Sequence, residues 1–376
     1  MKTKRAFKYR FYPTPEQVAL LAQTFGCVRF VYNSILKWRT DAFYEDGESI
    51  NYNAASARLT ALKKEFDWLS EASSVPLQQA LRHQQTAFKN FFEGRAKYPV
   101  FKKKHRRQSA TYASSAFKYR DGQLFIAKSK EPLDVRWSQA LPGIPSTITI
   151  SKDAADRYFV SCLYEVDTQA LPVVAKTIGV DLGLKDLFIT SDGFKSGNPK
   201  YTSKYAAKLA YLQRQLAKKA KGSRNRAKAR LRVARLHVKI ADCRKDATHK
   251  ATRRLINENQ VVCVESLAVK NMMKCPTLAK AIADANWGEF IRQLVYKGEW
   301  AGRSVVQIDR WFPSSKRCPT KGCGYINDTL PLNVRSWSCP SCGTTHDRDV
   351  AAAVNIKAVG LAVLASGATG AGVQVV

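Results

Sequence analysis

Hydrophobic and polar positions alternate through residues 2–12 (KTKRAFKYRFY), the period of a strand with one covered face. At Pro13-Thr14-Pro15-Glu16 the period changes to that of a helix, with Thr14 placed to cap it and Pro15 at its first position. Leu20, Leu21, Phe25, Val28, Val31 and Tyr32 then make one broad apolar face, which a loop around Glu45–Glu48 ends. The pattern predicts a second helix from Tyr52 to Phe66 and a third from Pro76 to Phe92, with Leu77, Leu81 and Phe88 on one side. The third also carries Gln78, Gln79, Gln84 and Gln85, expected to be solvated unless some reach nucleic-acid bases. After a basic linker, KYPVFKKKHRR (97–107), short alternating runs return: 109–120, 122–127, 146–152 and 157–166. Turn signals at Asp121-Gly122 and Pro142-Gly143 punctuate them. With residues 2–12 they predict a small β-barrel interrupted in sequence by the helices of 14–95, and Pro172 marks the next boundary.

Beyond it, KTIGVDLGLKDLFIT (176–190) reads as a buried strand ending near Asp181, a turn at Gly183, and a returning strand to Asp192-Gly193. Leu209, Leu212 and Leu216, then Leu236, Ile240 and Cys243, recur at helical spacing on either side of Gly222-Ser223, predicting two helices with an apolar seam inward. VVCVE (261–265) is a buried strand with Glu265 at its exit. An amphipathic helix at 283–301, a strand at 304–309 and a helix at 349–362 follow, and the small-residue tail SGATGAGVQVV is expected to fray. The fold class expected is multidomain α+β.

Charge adds the next constraint. The chain has 62 Lys and Arg against 30 Asp and Glu, a net +32 that opposes compaction unless a polyanion is the partner. Half of the excess lies in 204–254, where 18 Lys and Arg face only Asp242 and Asp246, so contact with phosphates is expected there. Charge alone fits ribosomal, membrane-surface and nucleic-acid-enzyme readings equally. The N-terminus has no apolar signal core and no run approaches the ~20 apolar residues of a membrane span. Nine cysteines without a signal peptide point to a reducing, cytosolic compartment.

Four of those cysteines are paired. Cys318 and Cys323, then Cys339 and Cys342, fall as C-x4-C, fifteen residues, C-x2-C, with Gly322, Gly324 and Gly343 allowing tight turns. Two close pairs can aim four thiolates at one tetrahedral Zn²⁺, and with no His between the pairs the site reads as structural. His346 also reads as structural, and Asp347 as a helix cap or a partner for Arg348. Asp181, Glu265 and Asp349 each stand beside apolar sequence, where an unpaired carboxylate is costly. If the strand ends and the helix start converge, the three would repel one another unless Mg²⁺ occupied the cluster. Two such ions ~3.5–4 Å apart suit phosphodiester hydrolysis. The plain alternative is three unrelated acids paired with arginines. No G-x-S-x-G, Walker-A or H-E-x-x-H pattern is present.

At GVDLG (179–183), VVCVESL (261–267), WFPSSKRC…C…CPSC (311–342) and THDRD…NI (345–356) the chain resembles the TnpB (OrfB-type) transposon-encoded RNA-guided nucleases, relatives of type V CRISPR effectors. RFYPTPEQ (10–17), RFVYN (29–33), LQQALRHQQTAFKNFF (77–92) and YPVFKKK (98–104) extend the resemblance over nearly the whole chain. It implies a split β-barrel wedge domain at 1–12 and 107–170, a helical recognition domain at 14–105, and a RuvC-like RNase H domain at 172–376 with a zinc knuckle inserted at 312–346. It further implies Asp181, Glu265 and Asp349 as catalytic acids holding Mg²⁺. Guide RNA and double-stranded target DNA would be the partners of a monomeric protein. Tyr52, Ser56 and Gln78 match positions that contact the motif beside the target. Lys102, Lys103 and Lys104 would grip phosphates, and Arg214, Lys218, Lys219, Arg224 and Lys228 would hold RNA or the heteroduplex. Two departures stand out: C-x4-C where C-x2-C is common, and Ala351 where the family often has Asn. A DDE-type transposase, a non-cleaving RNA-guided repressor and a basic RNA-binding structural protein are the alternatives.

Overall fold

The computed structural model describes residues 2–331 and 333–367, and the chain divides into two units, Met1–Asp167 and Thr168–Val376. Most of the tail expected to fray lies outside the described residues. The first unit runs β1 (Lys2–Tyr12), α1 (Pro15–Asp46), α2 (Tyr52–Glu65), α3 (Ser74–Phe92), β2 (Gln108–Ala113), β3 (Phe117–Arg120), β4 (Gln123–Ile126), β5 (Asp134–Arg136), β6 (Thr147–Lys152) and β7 (Tyr158–Asp167). Five strands form one antiparallel sheet in the order β2-β6-β7-β1-β5, and β3-β4 make a separate hairpin. Strand β1 pairs with β7 from Lys2↔Asp167 to Phe11↔Tyr158, although three helices intervene in sequence. Thr14 caps α1 in a full capping box with Gln17, as its position before Pro15 predicts. The inward residues of the sheet (Tyr9, Phe11, Ile148, Ile150, Val160) share one core with Leu21, Val31 and Ile35 of α1 and Leu77 and Leu81 of α3. Strand β5 went unpredicted, because three residues after Pro132 are too few to show a period.

The second unit runs β8 (Thr177–Leu182), β9 (Phe188–Thr190), α4 (Tyr201–Lys204), α5 (Ala206–Ala217), α6 (Arg224–Glu258), β10 (Val261–Glu265), α7 (Val269–Met272), α8 (Ala279–Ala285), α9 (Trp287–Ala301), β11 (Ser304–Ile308), β12 (Ser336–Ser338), β13 (Thr345–Asp347) and α10 (Arg348–Ser366). Its main sheet has the order β11-β10-β8-β9, with β8, β10 and β11 parallel and β9 antiparallel to β8. Period two divides the side chains between two layers. Ile178, Val180, Val262, Val264 and Val305 pack with Leu255 and Ile256 of α6 and Phe290 and Leu294 of α9. Val261, Cys263, Val306 and Ile308 face α10 through Ile356.

Three expectations need correction. The helix foreseen over 283–301 is two helices, because Asn286 adopts φ 61°, which ends α8 and starts α9 at Trp287. Leu209, Leu212 and Leu216 are only half-buried, since α5 buries no residue fully and packs on α6. By length and composition α1 and α10 would each suffice to cross a membrane; both instead place residues in the cores just described, among them Val31 and Ile35 of α1 and Ile356 of α10.

Helix α10 lies so close to β8 that a Cβ at Gly179 would stand 2.0 Å from the carbonyl oxygen of Ala353. A methyl there cannot be absorbed by a side-chain rotation, since it meets backbone. Gly179→Ala should destabilise the protein by about 3 kcal/mol, at the upper end of overpacking costs. Gly288→Ala, at a helical glycine whose Cβ would meet nothing within 4 Å, should be neutral or stabilising. Denaturant unfolding of the two variants checks this, and equal stabilities would contradict the packing argument.

Candidate active site and metal centre

Strands β8 and β10 pair in parallel with Val264 opposite Val180. The next residues, Asp181 and Glu265, therefore share a register on neighbouring strands and point to the same face. That face belongs to α10: two residues back along the strands, Gly179 meets Ala353 and Cys263 meets Gly360. Asp349 lies one helical turn before Ala353, so it stands at the end of α10 nearest the strand exits. The packing that seats the helix also brings the third acid toward the other two.

The three carboxylates differ in their surroundings. Burial first, then the charges of Glu265 and Asp349, push the Asp181 carboxyl well above its usual range. Burial also raises Glu265, opposed by a hydrogen bond that the Ser314 hydroxyl donates to it. Asp349 accepts from Arg335 Nη1 at 3.2 and 3.3 Å through its two oxygens. Asp347 is the cap of α10, accepting from the backbone N–H of Asp349 and Val350 at 3.0 and 3.1 Å, and Lys195 pairs with it at 2.6 Å. This settles the ambiguity over Asp347 in favour of the cap. Ser314, Arg335 and Lys195 carry no signal in the sequence, because each is a lone polar residue outside helices and longer strands whose partner, from 14 to 152 residues away, is set only by the fold. Ala351, at the position where Asn is often found, is buried in the first turns of α10.

The four cysteines are gathered more tightly. Among the described residues they are the group of three or more ligand atoms able to hold one metal ion, with all four Sγ within 4.8 Å of one another. The separations Cys318–Cys342 and Cys323–Cys339 are 3.7 and 3.6 Å. Tetrahedral Zn–S bonds of ~2.3 Å put sulfurs about 3.8 Å apart, so the donor set fits that ion. Hydrogen bonding with Thr344 pulls the Cys342 thiol down to about 5, whereas burial pushes Cys318 up to about 11. His346, outside the pairs in sequence, brings Nε2 to 3.2 Å from Cys318 Sγ and packs its ring against Trp337. The knuckle is tied to the acids from both sides. Arg348 N–H donates to the Arg335 carbonyl at 2.8 Å, and Asn355 of α10 donates to the carbonyls of Ser314 and Arg317 at 2.8 and 2.7 Å.

Comparison with known proteins gives the family of the chain. A protein of Streptomyces pristinaespiralis named "Putative RNA-guided DNA endonuclease" is 53% identical over 371 residues, covering 97% of this chain and 92% of its own. The chain belongs to the TnpB (OrfB-type) family. An Escherichia coli K12 relative with the same name and the suffix InsQ is 32% identical, covering 98% of this chain and 95% of its own. Family profiles described as probable transposase, Cas12f1-like TNB domain and helix-turn-helix domain match residues 161–275, 287–356 and 1–48 of this TnpB chain. Over that last stretch the structure holds a strand and one long helix, α1. A Cas12f1 chain solved with sgRNA and target DNA shares the fold, with TM-score 0.59 and 14% identity over 95% of this chain and 99% of that one.

The nucleic-acid candidates of this TnpB chain fall into distinct settings. Tyr52 accepts from Arg82 Nε at 3.5 Å, Ser56 lies one turn further along α2, and Gln78 one turn before Arg82 on α3, so the three occupy neighbouring faces. Gln84 is neither solvated nor free to read a base: it is fully buried, donates to the Tyr32 carbonyl and faces Arg39. Lys103 and Lys104 are exposed, but Lys102 is half-buried with Nζ 4.2 Å above the Tyr32 ring. Arg214, Lys218, Lys219, Arg224 and Lys228 are all exposed on and around α5 and α6. Arg226, between them, instead donates to the Leu216 and Lys219 carbonyls and closes the end of α5.

A carboxyl whose folded pKa exceeds its unfolded value weakens the fold at pH above the folded pKa. The penalty fades as pH falls through that value and is gone below the unfolded one. Asp181→Asn should therefore raise the Tm of metal-free protein by ~2–4 °C near neutral pH, the equivalent of about 1 kcal/mol. The gain should shrink as the pH is lowered toward about 4. A gain that is absent or unchanged across a pH series of melting curves would show that the acids do not repel one another.

Proposed function

We propose that this protein is a metal-dependent, RNA-guided DNA endonuclease whose single site cuts both strands of a target paired with a transposon-derived guide RNA. The observation that carries the reading is the register of Asp181 and Glu265 at the exits of adjacent parallel strands, with Asp349 on the helix packed over the same face. The names of the two relatives that match the chain nearly end to end support the same activity. On this reading 1–12 and 107–170 form the split β-barrel wedge domain, 14–105 the recognition domain, and 172–376 a RuvC-like nuclease domain carrying the zinc knuckle at 312–346. Guide pairing would supply sequence specificity, while the protein reads a short motif beside the target. Tyr52, Ser56 and Gln78 are the proposed readers of that motif. Lys103, Lys104 and the exposed cations of α5 and α6 would hold phosphates without selecting sequence.

The donor set at the acids is hard oxygen only, and its mutual repulsion calls for cations, which fits Mg²⁺. Among the described residues the three acids do not form a one-ion ligand group, so two Mg²⁺ shared among Asp181, Glu265 and Asp349 would supply Lewis-acid stabilisation of charge on the phosphodiester and lower the pKa of water. The chain's own residues do the positioning. Ser314 holds one Glu265 oxygen through the bond its hydroxyl donates. Arg335 carries a planar fork of donors suited to a phosphate, and it pairs with Asp349 by reaching over from the knuckle. The four cysteines would hold a structural Zn²⁺, fixing both Arg335 and the start of α10.

Asp181→Ala should abolish cleavage of a guide-matched duplex, as should chelation of Mg²⁺, while RNA-guided DNA binding stays within about threefold. Joint loss of cutting and binding would favour a structural role, and strand-transfer products on transposon ends would favour a transposase. Cys339→Ser should release the bound zinc, measured by atomic absorption, and reduce cleavage by at least about a hundredfold through misplacement of Asp349 and Arg335. Full cutting by a zinc-free variant would overturn the part assigned to the knuckle.

A further inference from the structure

The first unit contains a cavity of about 250 Å³ lined by Tyr44, Phe88, Phe92 and Tyr98, together with Arg39 and Glu48. None of these six is among the residues expected from the sequence to touch nucleic acid. Arg39 is 6% exposed, yet no carboxylate pairs with it among the described residues. Its Nη2 donates to Gln85 Oε1 at 2.6 Å and its Nη1 weakly to Gln84 at 3.4 Å, while its Nε has no partner. The guanidinium lies 5.1 Å from the centre of the Phe88 ring. A buried cation with unused donors is costly, so the cavity favours a ligand that brings an acceptor. The rings ask for something else. Tyr44 packs on Phe43 and Phe92 on Phe88 and Phe91, yet both stay about three-quarters exposed beside the cavity, so much of their ring surface is open to a stacking partner.

Planar, ring-shaped and bearing keto oxygens, a nucleobase meets both demands, with the Glu48 carboxylate available to an exocyclic amino group. From Tyr98 the chain runs directly into a second cavity, of about 380 Å³, lined by Arg29, Lys102, Lys103, Arg106 and Arg107 and by no carboxylate. A base in the first cavity would thus have cations nearby for its flanking phosphates. Each copy of the chain carries +32, which opposes a second copy as the occupant.

We propose that this cavity takes one unpaired nucleobase from a single-stranded stretch of nucleic acid, stacked on Tyr44 and Phe92 and hydrogen-bonded to Arg39. The cavity shares no lining residue with the acids or with Tyr52, Ser56 and Gln78, and its test does not use cleavage, so the nuclease reading can fail without it.

The probes are short single-stranded RNA and DNA oligonucleotides containing 2-aminopurine, and the corresponding duplex DNA, each titrated into the full chain. Wild-type protein should quench the single-strand fluorescence by stacking. Tyr44→Ala with Phe92→Ala, both at exposed positions that leave the core intact, should remove the quench and weaken single-strand binding about tenfold, with duplex affinity unchanged. A larger loss on RNA would assign the base to a guide, and a larger loss on DNA to an opened target strand. Arg39→Gln should reproduce the loss if the variant melts like wild type. Unchanged single-strand affinity in the double variant, an equal loss on duplex, or a wild-type dimer that the double variant abolishes in sedimentation would each overturn the proposal.

Discussion

The close approach of α10 to β8 governs the second unit. Gly179 leaves no side chain between the strand and the Ala353 carbonyl, and Gly360 does the same against Cys263. Both contacts lie two residues before an acid on their strands, so one packed surface sets the height of the helix above Asp181 and Glu265. Were the helix lifted by the width of a methyl group, Asp349 would move with it. Close packing of this kind is stiff, because interiors transmit a displacement more readily than they absorb it.

That rigidity holds together groups that would otherwise separate. Three carboxylates lie within electrostatic reach, and after burial the charges of the other two also raise Asp181. The opposing attractions are local: Ser314 on Glu265, Arg335 on Asp349, and the Arg348 charge on Asp181. Two of these three come from the segment that carries the cysteines or leads into it. The knuckle is therefore part of the electrostatic environment of the acids as well as a staple for the loop.

The sequence made the periodic elements plain. Runs such as VVCVE, buried on both sides, can hardly be anything but a central strand, and Thr14-Pro15 announces a helix start by stereochemistry alone. Paired cysteines were equally plain, because metal spacing is a local property. Elements that depend on distant partners were not. Asn286 divides a continuous helical pattern because its backbone turns left-handed, and the three residues of β5 gain strand character only by lying beside β1. Gln84 and Lys102 looked like surface polar groups, yet one is buried against Tyr32 and Arg39 and the other lies over an aromatic ring. Arg335 was invisible for the same reason, since its meaning comes from Asp349.

The placement of the acids along the chain has a consequence for synthesis. The strand that bears Asp181 leaves the ribosome early in the unit, and helix α10 only after α6, β10 and the cysteine segment have emerged. Until α10 docks, the layer over Gly179 and Cys263 is missing and the strand exits carry two acids without the third. A nascent or truncated chain would therefore hold the two strand-borne acids without the layer that closes over them, because translation delivers the covering helix last.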